Sequence, residues 1–493
     1  MTSDAPRPEA RAPRGFADRR ARDLAAERAI LASVSAVYER YGFEALDTGA
    51  MEYADALGKF LPDADRPNEG VFALQDDDEQ WMALRYDLTA PLARFVAQNW
   101  ETLPKPFRRY AFGSVWRNEK PGPGRFREFT QCDADTVGSA RPEADAEIIA
   151  MAAEGFQAAG LARGQAVLKI NNRKLLDGLL AEQGVDERRK LTVLRAIDKY
   201  DRLGWDGVVH LLGKGRLDES GDFTKGAELS AGAIAAVEGF LNSASSPDLT
   251  RAQVIDALGR LSLGAAGQEA LAELAAIDTA LRALGVGDDL AKVDPTVVRG
   301  LEYYTGPVFE AELLLQTVDD KGQAVRFGSV GGGGRYDDLV ARFTGQPVPA
   351  TGFSFGVSRL AAALRAAGRD LGRQARGPVV VIAFDAAHMA EYYAAAGELR
   401  AAGIAAEVYL GSSGMKAQMK YADRRLAPAA IMLGGDEIAA GTVTVKDLDL
   451  GRELAAGVSD NSQWRAERPG QATIPRGELV SFVRRIVGGG DEG

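Results

Sequence analysis

The chain has 493 residues, 46% of them hydrophobic and 26% charged, which is the balance of a water-soluble folded protein long enough for roughly two to four domains. A formal net charge of −11 excludes a protein that coats nucleic acid through overall attraction. One cysteine, Cys132, and two histidines, His210 and His388, exclude a disulfide framework and the usual Cys/His zinc site.

No run of about eighteen apolar residues occurs, and the first fifteen residues carry acids and three prolines where a secretory leader would be apolar. The expectation is a cytoplasmic chain with no membrane partner. Residues 1–15 read as a loosely held tail. Arg22 to Tyr41 has apolar residues at helical spacing and reads as an amphipathic helix closed by Gly42. Phe43 to Glu52 reads as a strand, and so does Trp81 to Thr89, where Arg85-Tyr86-Asp87-Leu88-Thr89 leads into a helix at Pro91.

The most informative stretch follows. Arg117-Asn118-Glu119 and Arg125-Phe126-Arg127-Glu128-Phe129-Thr130-Gln131-Cys132-Asp133-Ala134-Asp135 read as two strands joined by a hairpin. Side chains two apart share a face, so Phe129, Gln131, Asp133 and Asp135 point one way, and Arg117 pairs with Glu119 in the same manner. Such a face suits a ligand that is part anion, part nucleobase and part small polar molecule, as ATP beside an amino acid would be. From Lys105 to Glu128 there are seven Lys/Arg against two Glu, so any nucleic-acid contact would be local. Cys132, inside the second strand, reads as a small core residue.

Beyond Asp135, Glu143 to Ala162 reads as helix and Ala166 to Asn171 as a buried strand. Lys174 to Leu290 reads as an all-helical insertion, after which strand character returns at Val293 to Glu312 and at Ala324 to Val330. Within this part, Arg299 precedes the pair Tyr303 and Tyr304. A sheltered guanidinium grips phosphate with two prongs and stays charged, which suits Arg299 to charge building on phosphorus; a tyrosine pair on a sheet surface is the plain alternative. The four glycines 331–334 lead into Arg335-Tyr336-Asp337. They lack the residues of a phosphate loop or a dinucleotide fingerprint, so tight backbone packing and close ligand approach both stay open.

Gly352 to Leu360 reads as an apolar strand turning into a helix at Gly356, which puts Arg359 in the first turn, facing either a pocket or solvent. Residues 368–377 read as a linker. Pro378 to Phe384, a helix over Ala390 to Ala402 and a strand at Ala406 to Leu410 then form a βαβ pattern, so the last domain should carry a parallel or mixed sheet. Lys416, Lys420 and Arg424 lie four apart on one helical face with Arg425 adjacent, as solvated surface or as a contact for an RNA backbone. His210 and His388 receive no role.

Arg299-Gly300-Leu301-Glu302-Tyr303-Tyr304, Gly332-Gly333-Gly334-Arg335-Tyr336-Asp337 and the opening Pro13-Arg14-Gly15 carry a resemblance over about residues 15 to 480. The chain resembles the class II aminoacyl-tRNA synthetases, and within them the histidyl-tRNA synthetase family. The resemblance implies an α+β fold: an antiparallel-sheet catalytic core at 16–170 and 292–367, interrupted by a helical insertion at 171–291, and an α/β anticodon-binding domain at 378–493. It also implies a homodimer that uses ATP with Mg²⁺ on its phosphates, L-histidine and tRNA(His).

On the same footing, Arg117 grips the α-phosphate, Glu119 reads the adenine amino group, Phe129 stacks on the base, and Arg359 holds the far end of ATP. Arg299 takes the place of a metal beside the α-phosphate. Asp87, Thr89, Arg125, Gln131, Asp135, Tyr303, Tyr304 and Tyr336, with Arg117 and Arg299, form the histidine pocket. A pocket that bonds both ring nitrogens of its substrate needs no editing site, because a wrong side chain leaves buried groups unpaired. Four departures from the family pattern stand out: Gly49 in place of a motif 1 proline, Asp87 and Asp135 where glutamate is common, Ser358 where glutamate precedes the arginine, and the loop Lys120-Pro121-Gly122-Pro123-Gly124. The alternative from another class is the non-catalytic synthetase-like regulatory subunit of ATP phosphoribosyltransferase, which usually lacks the last domain and the catalytic arginines. A threonine-specific relative would need zinc, and a proline or glycine pocket would not need two tyrosines with Asp135.

Overall fold

In a computed structural model, the described residues are 8–57, 70–121, 126–217, 221–244, 246, 248–298, 304–315, 317–318, 324–325, 327–369, 376–455 and 470–488. The chain divides into two compact units, Met1–Gly372 and Arg373–Gly493.

The first unit is built on an eight-stranded sheet, with strands in the spatial order Glu44–Ala45, Phe107–Trp116, Glu128–Val137, Ala350–Gly356, Ser329–Arg335, Pro307–Leu313, Ala166–Asn172 and Ala291–Val293. All neighbours are antiparallel except the two edge strands, which run parallel to their partners. One face is covered by the helices Ala21–Arg40, Pro142–Ala158 and Val357–Ala366. Cys132, Ala134, Phe309, Ala311, Phe353 and Phe355 point into that layer and join one continuous hydrophobic core. The lone cysteine is therefore fully buried there, and burial pushes its thiol far up, which makes it an inert core residue.

The first helix buries Ala26, Ile30, Val34, Val37 and Tyr38, the stripe that its sequence spacing requires. It ends at Gly42, whose φ of +81° lets the Phe43 N–H reach back to the Tyr38 carbonyl at 3.1 Å. The predicted strand Phe43 to Glu52 is instead two short pieces in different sheets, Glu44–Ala45 and Met51–Tyr53. Between them, the Thr48 and Ala50 carbonyls flank Gly49, and both accept hydrogen bonds from Arg85, through Nη1 at 2.8 Å and the backbone N–H at 2.9 Å.

The insertion is not purely helical. Its helices Arg173–Glu182, Glu187–Ile197, Tyr200–Leu212, Ala231–Leu241, Arg251–Leu258 and Gly264–Ala283 are joined by a ribbon of Gly215–Leu217 with Phe223–Lys225. Two strands of three residues are too short to leave an alternation signal, and Gly215, at a φ of +117°, packs directly on the Thr224 carbonyl.

In the second unit, strands Val379–Ile382, Ala406–Val408 and Ala429–Met432 are parallel, while Thr442–Asp447 and Gln471–Pro475 add antiparallel neighbours, giving a mixed sheet. Helices Met389–Ala401, Met415–Arg424 and Leu479–Gly488 pack on it.

Candidate active site

The open face of the large sheet carries the polar side chains. In register, Arg109 faces Asp135, Ala111 faces Asp133, Gly113 faces Gln131 and Val115 faces Phe129 across the hairpin. On the other side Gly352 faces Asp135, Ser354 faces Asp133 and Gly356 faces Gln131. The alternation inferred for Phe129, Gln131, Asp133 and Asp135 is thus that of a regular strand. Arg117 and Glu119 differ from the expectation, because the first strand ends at Trp116. Past it, the Arg117 N–H bonds the Arg127 carbonyl at 2.9 Å and the Asn118 N–H bonds the Gly70 carbonyl at 3.0 Å, so a third segment replaces the regular ladder.

At this end of the sheet Arg117 is held by aromatic rings. Its guanidinium carbon lies 4.3 Å from the Tyr86 ring centre and 5.1 Å from that of Phe129, and its Nε donates to the Tyr86 carbonyl at 3.4 Å. The Tyr86 hydroxyl donates to Glu119 Oε1 at 3.0 Å, and Arg127 Nε donates to the Glu119 carbonyl at 3.0 Å. A fork of fixed positive charge, a flat ring and an oriented carboxylate are thereby assembled within one neighbourhood. Tyr86 had no role on sequence grounds, since nothing local marks a tyrosine as a brace for residues thirty positions away.

Arg359 sits on the helix that follows Gly356 and is exposed, with Nη2 donating to the Phe327 carbonyl at 2.6 Å. Gly356 pairs with Gln131, two residues from Phe129, so this arginine belongs to the same end of the sheet. Its neighbour Ser358 donates to Glu27 Oε1 at 2.7 Å and accepts from the Thr130 N–H at 2.9 Å, while Arg19 holds the other Glu27 oxygen at 2.5 Å. The first helix thus brings a carboxylate against Ser358, a contact that sequence alone could not reveal.

The other end is a cluster of buried acids. Asp135, 2% exposed, accepts a short hydrogen bond from the Tyr336 hydroxyl at Oδ1, and its Oδ2 lies 2.8 Å from Arg109 Nη2. Burial raises the Asp135 carboxyl, opposed by Arg109 and then by the Tyr336 hydrogen bond. Asp87 is likewise raised by burial, opposed by the backbone N–H groups of Ala90 and Thr89 and by Arg117 and Arg109. Its Oδ1 accepts from those N–H groups, Thr89 at 3.1 Å and Ala90 at 2.9 Å, at the start of the helix Thr89–Asn99. Gln131 is 8% exposed, and its Oε1 has no hydrogen-bond partner among the described residues.

Glycines lie directly against this cluster. A Cβ at Gly352 would stand 1.9 Å from Asp135 Oδ1, and one at Gly334 would stand 2.9 Å from the Tyr304 ring. The glycine run is itself a strand, Ser329–Arg335, with Gly331 and Gly333 under the rings of Phe353 and Phe309 on the opposite face. Of the two readings of that run, tight packing is what the neighbouring rings and carbonyls account for. Tyr304 and Tyr336 pack with Leu92 and Val96 in a separate small core, from which the Tyr336 hydroxyl reaches Asp135 and the Tyr304 ring lies against Gly334. Arg125, Arg299 and Tyr303 lie outside the described residues.

The comparisons with known proteins bear on this arrangement. The family model described as Histidyl-tRNA synthetase matches residues 15–360. The chain belongs to the histidyl-tRNA synthetase family. A second model, Anticodon binding domain, matches residues 378–485. The chain is 75% identical over 485 residues, 98% of each chain, to the Histidine--tRNA ligase of Caulobacter vibrioides. It is 54% identical over 497 residues to that of Mesorhizobium japonicum, covering 99% of this chain and 98% of that one. The histidyl-tRNA synthetase of Nostoc sp. superposes with a TM-score of 0.70 at 26% identity, covering 97% of this chain and 100% of that one.

In this member of the histidyl-tRNA synthetase family a third buried acid, Asp133, receives a short hydrogen bond from Ser354. Its carboxyl is raised from 3.8 to about 8, chiefly by burial and then by the charge of Asp135. The unfolded chain releases this proton near 3.8 and the folded chain only near about 8, so between those values the native state holds the extra proton. Its ionisation opposes folding, and the contribution to stability is complete at the acid end and lost as pH rises through about 8. Between about pH 5.5 and pH 8.5 the melting temperature should fall by several degrees more in the wild type than in Asp133→Asn. Equal pH slopes in the two proteins would refute a buried neutral carboxyl.

Proposed function

We propose that this chain is a histidine–tRNA ligase: it joins L-histidine to ATP as histidyl-adenylate and passes the histidyl group to the 3′-terminal adenosine of tRNA(His). The observation that carries this reading is the two-ended sheet face, with Arg117, Phe129 and Glu119 at one end and Asp135, Tyr336 and Tyr304 at the other.

The residues divide the work by their chemistry. Phe129 offers a stacking surface for adenine and Glu119 an acceptor for its amino group, while Arg359 holds the far phosphates. Arg117 and Arg299 neutralise the charge that grows on the α-phosphate as a histidine carboxylate oxygen attacks phosphorus and pyrophosphate leaves. The substrate ammonium is met by the Asp87 carboxylate and by Gln131, with Thr89 alongside. Asp135 accepts from the imidazole N–H, and Tyr303, Tyr304, Tyr336 and Arg125 complete the pocket. In the second step a ribose hydroxyl of the tRNA attacks the activated carbonyl and AMP departs. Positioning and charge do this chemistry, and no protein nucleophile takes part.

Mg²⁺ is expected with ATP. Its place is on the phosphate oxygens of ATP; among the described residues no group of three Asp, Glu, His or Cys converges. No helix among the described residues is long and apolar enough to cross a membrane; a cytoplasmic setting is part of the proposal. The large side chains Tyr53, Trp81 and Phe112 are 56%, 48% and 50% exposed in the first unit, which supports the proposed homodimer. The division into a two-part core with an insertion, a linker and an anticodon-binding domain is proposed with the boundaries given above.

Amino-acid-dependent ATP–pyrophosphate exchange tests the reading. Histidine alone should support exchange; a different required amino acid would reject the specificity, and no exchange at all would favour the regulatory-subunit reading. In the second unit Lys416, Lys420 and Arg424 are exposed along one helix, while Arg425 is drawn aside by Glu407 at 3.1 and 3.0 Å. Reversing the two lysines, Lys416→Glu with Lys420→Glu, should raise the KM for tRNA by about five- to tenfold and leave exchange unchanged. An unaltered KM would make the stripe solvated surface.

A further inference from the structure

One cation of the pocket remains without a role. Arg109 is 0% exposed, on the strand next to Asp135 and on the same face. A fully buried guanidinium is expensive unless its surroundings use the charge. Among the described residues only one of its nitrogens is engaged: Nη2 donates to the Leu88 carbonyl at 2.9 Å and lies 2.8 Å from Asp135 Oδ2. Nε and Nη1 have no hydrogen-bond partner among the described residues.

The placement of these contacts matters. Leu88 lies between Asp87 and Thr89, the segment that meets the substrate ammonium, whereas Asp135 meets the imidazole. Arg109 is thus a rigid link between the two ends of the amino-acid pocket. The contact to Asp135 is close but is not aligned as a hydrogen bond, so Oδ2 keeps an acceptor direction open. Tyr336 fills Oδ1 from the other side. Substrate imidazole N–H then has one acceptor lone pair to find, at a fixed distance from the ammonium acceptors.

We infer that Arg109 is a positioning residue for histidine specificity, holding the Asp135 carboxylate in its acceptor orientation and tethering it to the Asp87-Leu88-Thr89 backbone. The inference rests on the assignment of Asp135 to the imidazole. In this role Arg109 acts through the two groups it contacts, Asp135 and the Leu88 carbonyl. Shape alone does not explain it: an apolar residue of similar length would fill the same volume without burying a charge.

The test uses exchange kinetics on the full-length protein, with KM measured separately for histidine and for ATP. Arg109→Met should raise the KM for histidine about tenfold or more and change that for ATP less than about twofold. Arg109→Lys keeps the charge but not the fork and should show an intermediate rise of about threefold. In the Asp135→Asn background the Arg109→Met effect should shrink to less than half of its value in the wild type, because the group it acts through has gone. Equal rises in both KM values, or additive effects in the double variant, would show a structural role and overturn the inference. Should Arg109→Met not fold, Arg109→Lys decides: a wild-type KM for histidine overturns the proposal, and a selective rise supports it. Failure of the parent assignment is separable, since Asp135→Asn alone would then leave the KM for histidine unchanged.

Discussion

Arg117→Ala is expected to slow histidine-dependent pyrophosphate exchange by about a thousandfold, the loss typical of removing one preorganised donor from a developing oxyanion. The size follows from how Arg117 is held. Its guanidinium rests between the rings of Tyr86 and Phe129 before any ligand arrives, and Nε is pinned to the Tyr86 carbonyl. Little reorganisation is then required when charge builds on the α-phosphate. Arg117→Lys supplies a point charge without the planar fork or the stacking surface, so it should recover only part of the rate. Retention of more than about a tenth of wild-type exchange in Arg117→Ala would contradict the phosphate role.

Arg335→Ala is expected to destabilise the first unit by about 3–5 kcal/mol, as breaking a buried ion pair by removing one partner does. Arg335 belongs to the signature next to the pocket, yet its side chain points away from it. Nε and Nη2 donate to Asp145 Oδ2 at 3.1 and 2.5 Å, and Nη1 and Nη2 donate to the Ser139 and Arg141 carbonyls at 2.9 and 3.1 Å. Asp145 is 0% exposed, and burial raises its carboxyl to about 6 against the opposing charge of Arg335. Without the arginine that carboxylate has no counter-charge, and two backbone carbonyls lose their donor. Urea melts should place Arg335→Ala well below the wild type, while Asp145→Asn combined with Arg335→Ala should recover part of the loss. A loss under about 1 kcal/mol would show that this knot is wet in solution.

Local rules made much of the site legible. The period of a strand placed Phe129, Gln131, Asp133 and Asp135 together, and the strand-to-helix turn at Gly356 placed Arg359. The same rules misjudged Arg117 and Glu119, because a regular strand was continued past Trp116, where pairing passes to Arg127 and Gly70. They missed Tyr86 and Arg109, although Arg109 lies within the basic run between Lys105 and Glu128 and its hairpin register sets it opposite Asp135.

The amino-acid sequence by itself determined which side chains share a face, which chemistry that face offers and to which family the chain belongs, because periodicity and short signatures are properties of neighbouring residues. Only the tertiary structure decided which charges neutralise one another. Tyr336 reaches Asp135 across 201 positions, Arg335 reaches Asp145 across 190, and Glu27 reaches Ser358 across 331. Those partners meet because helices and strands from distant parts of the chain pack within a few ångströms of one another on the two faces of one sheet, and the energy of a buried charge depends on that distance rather than on separation along the chain.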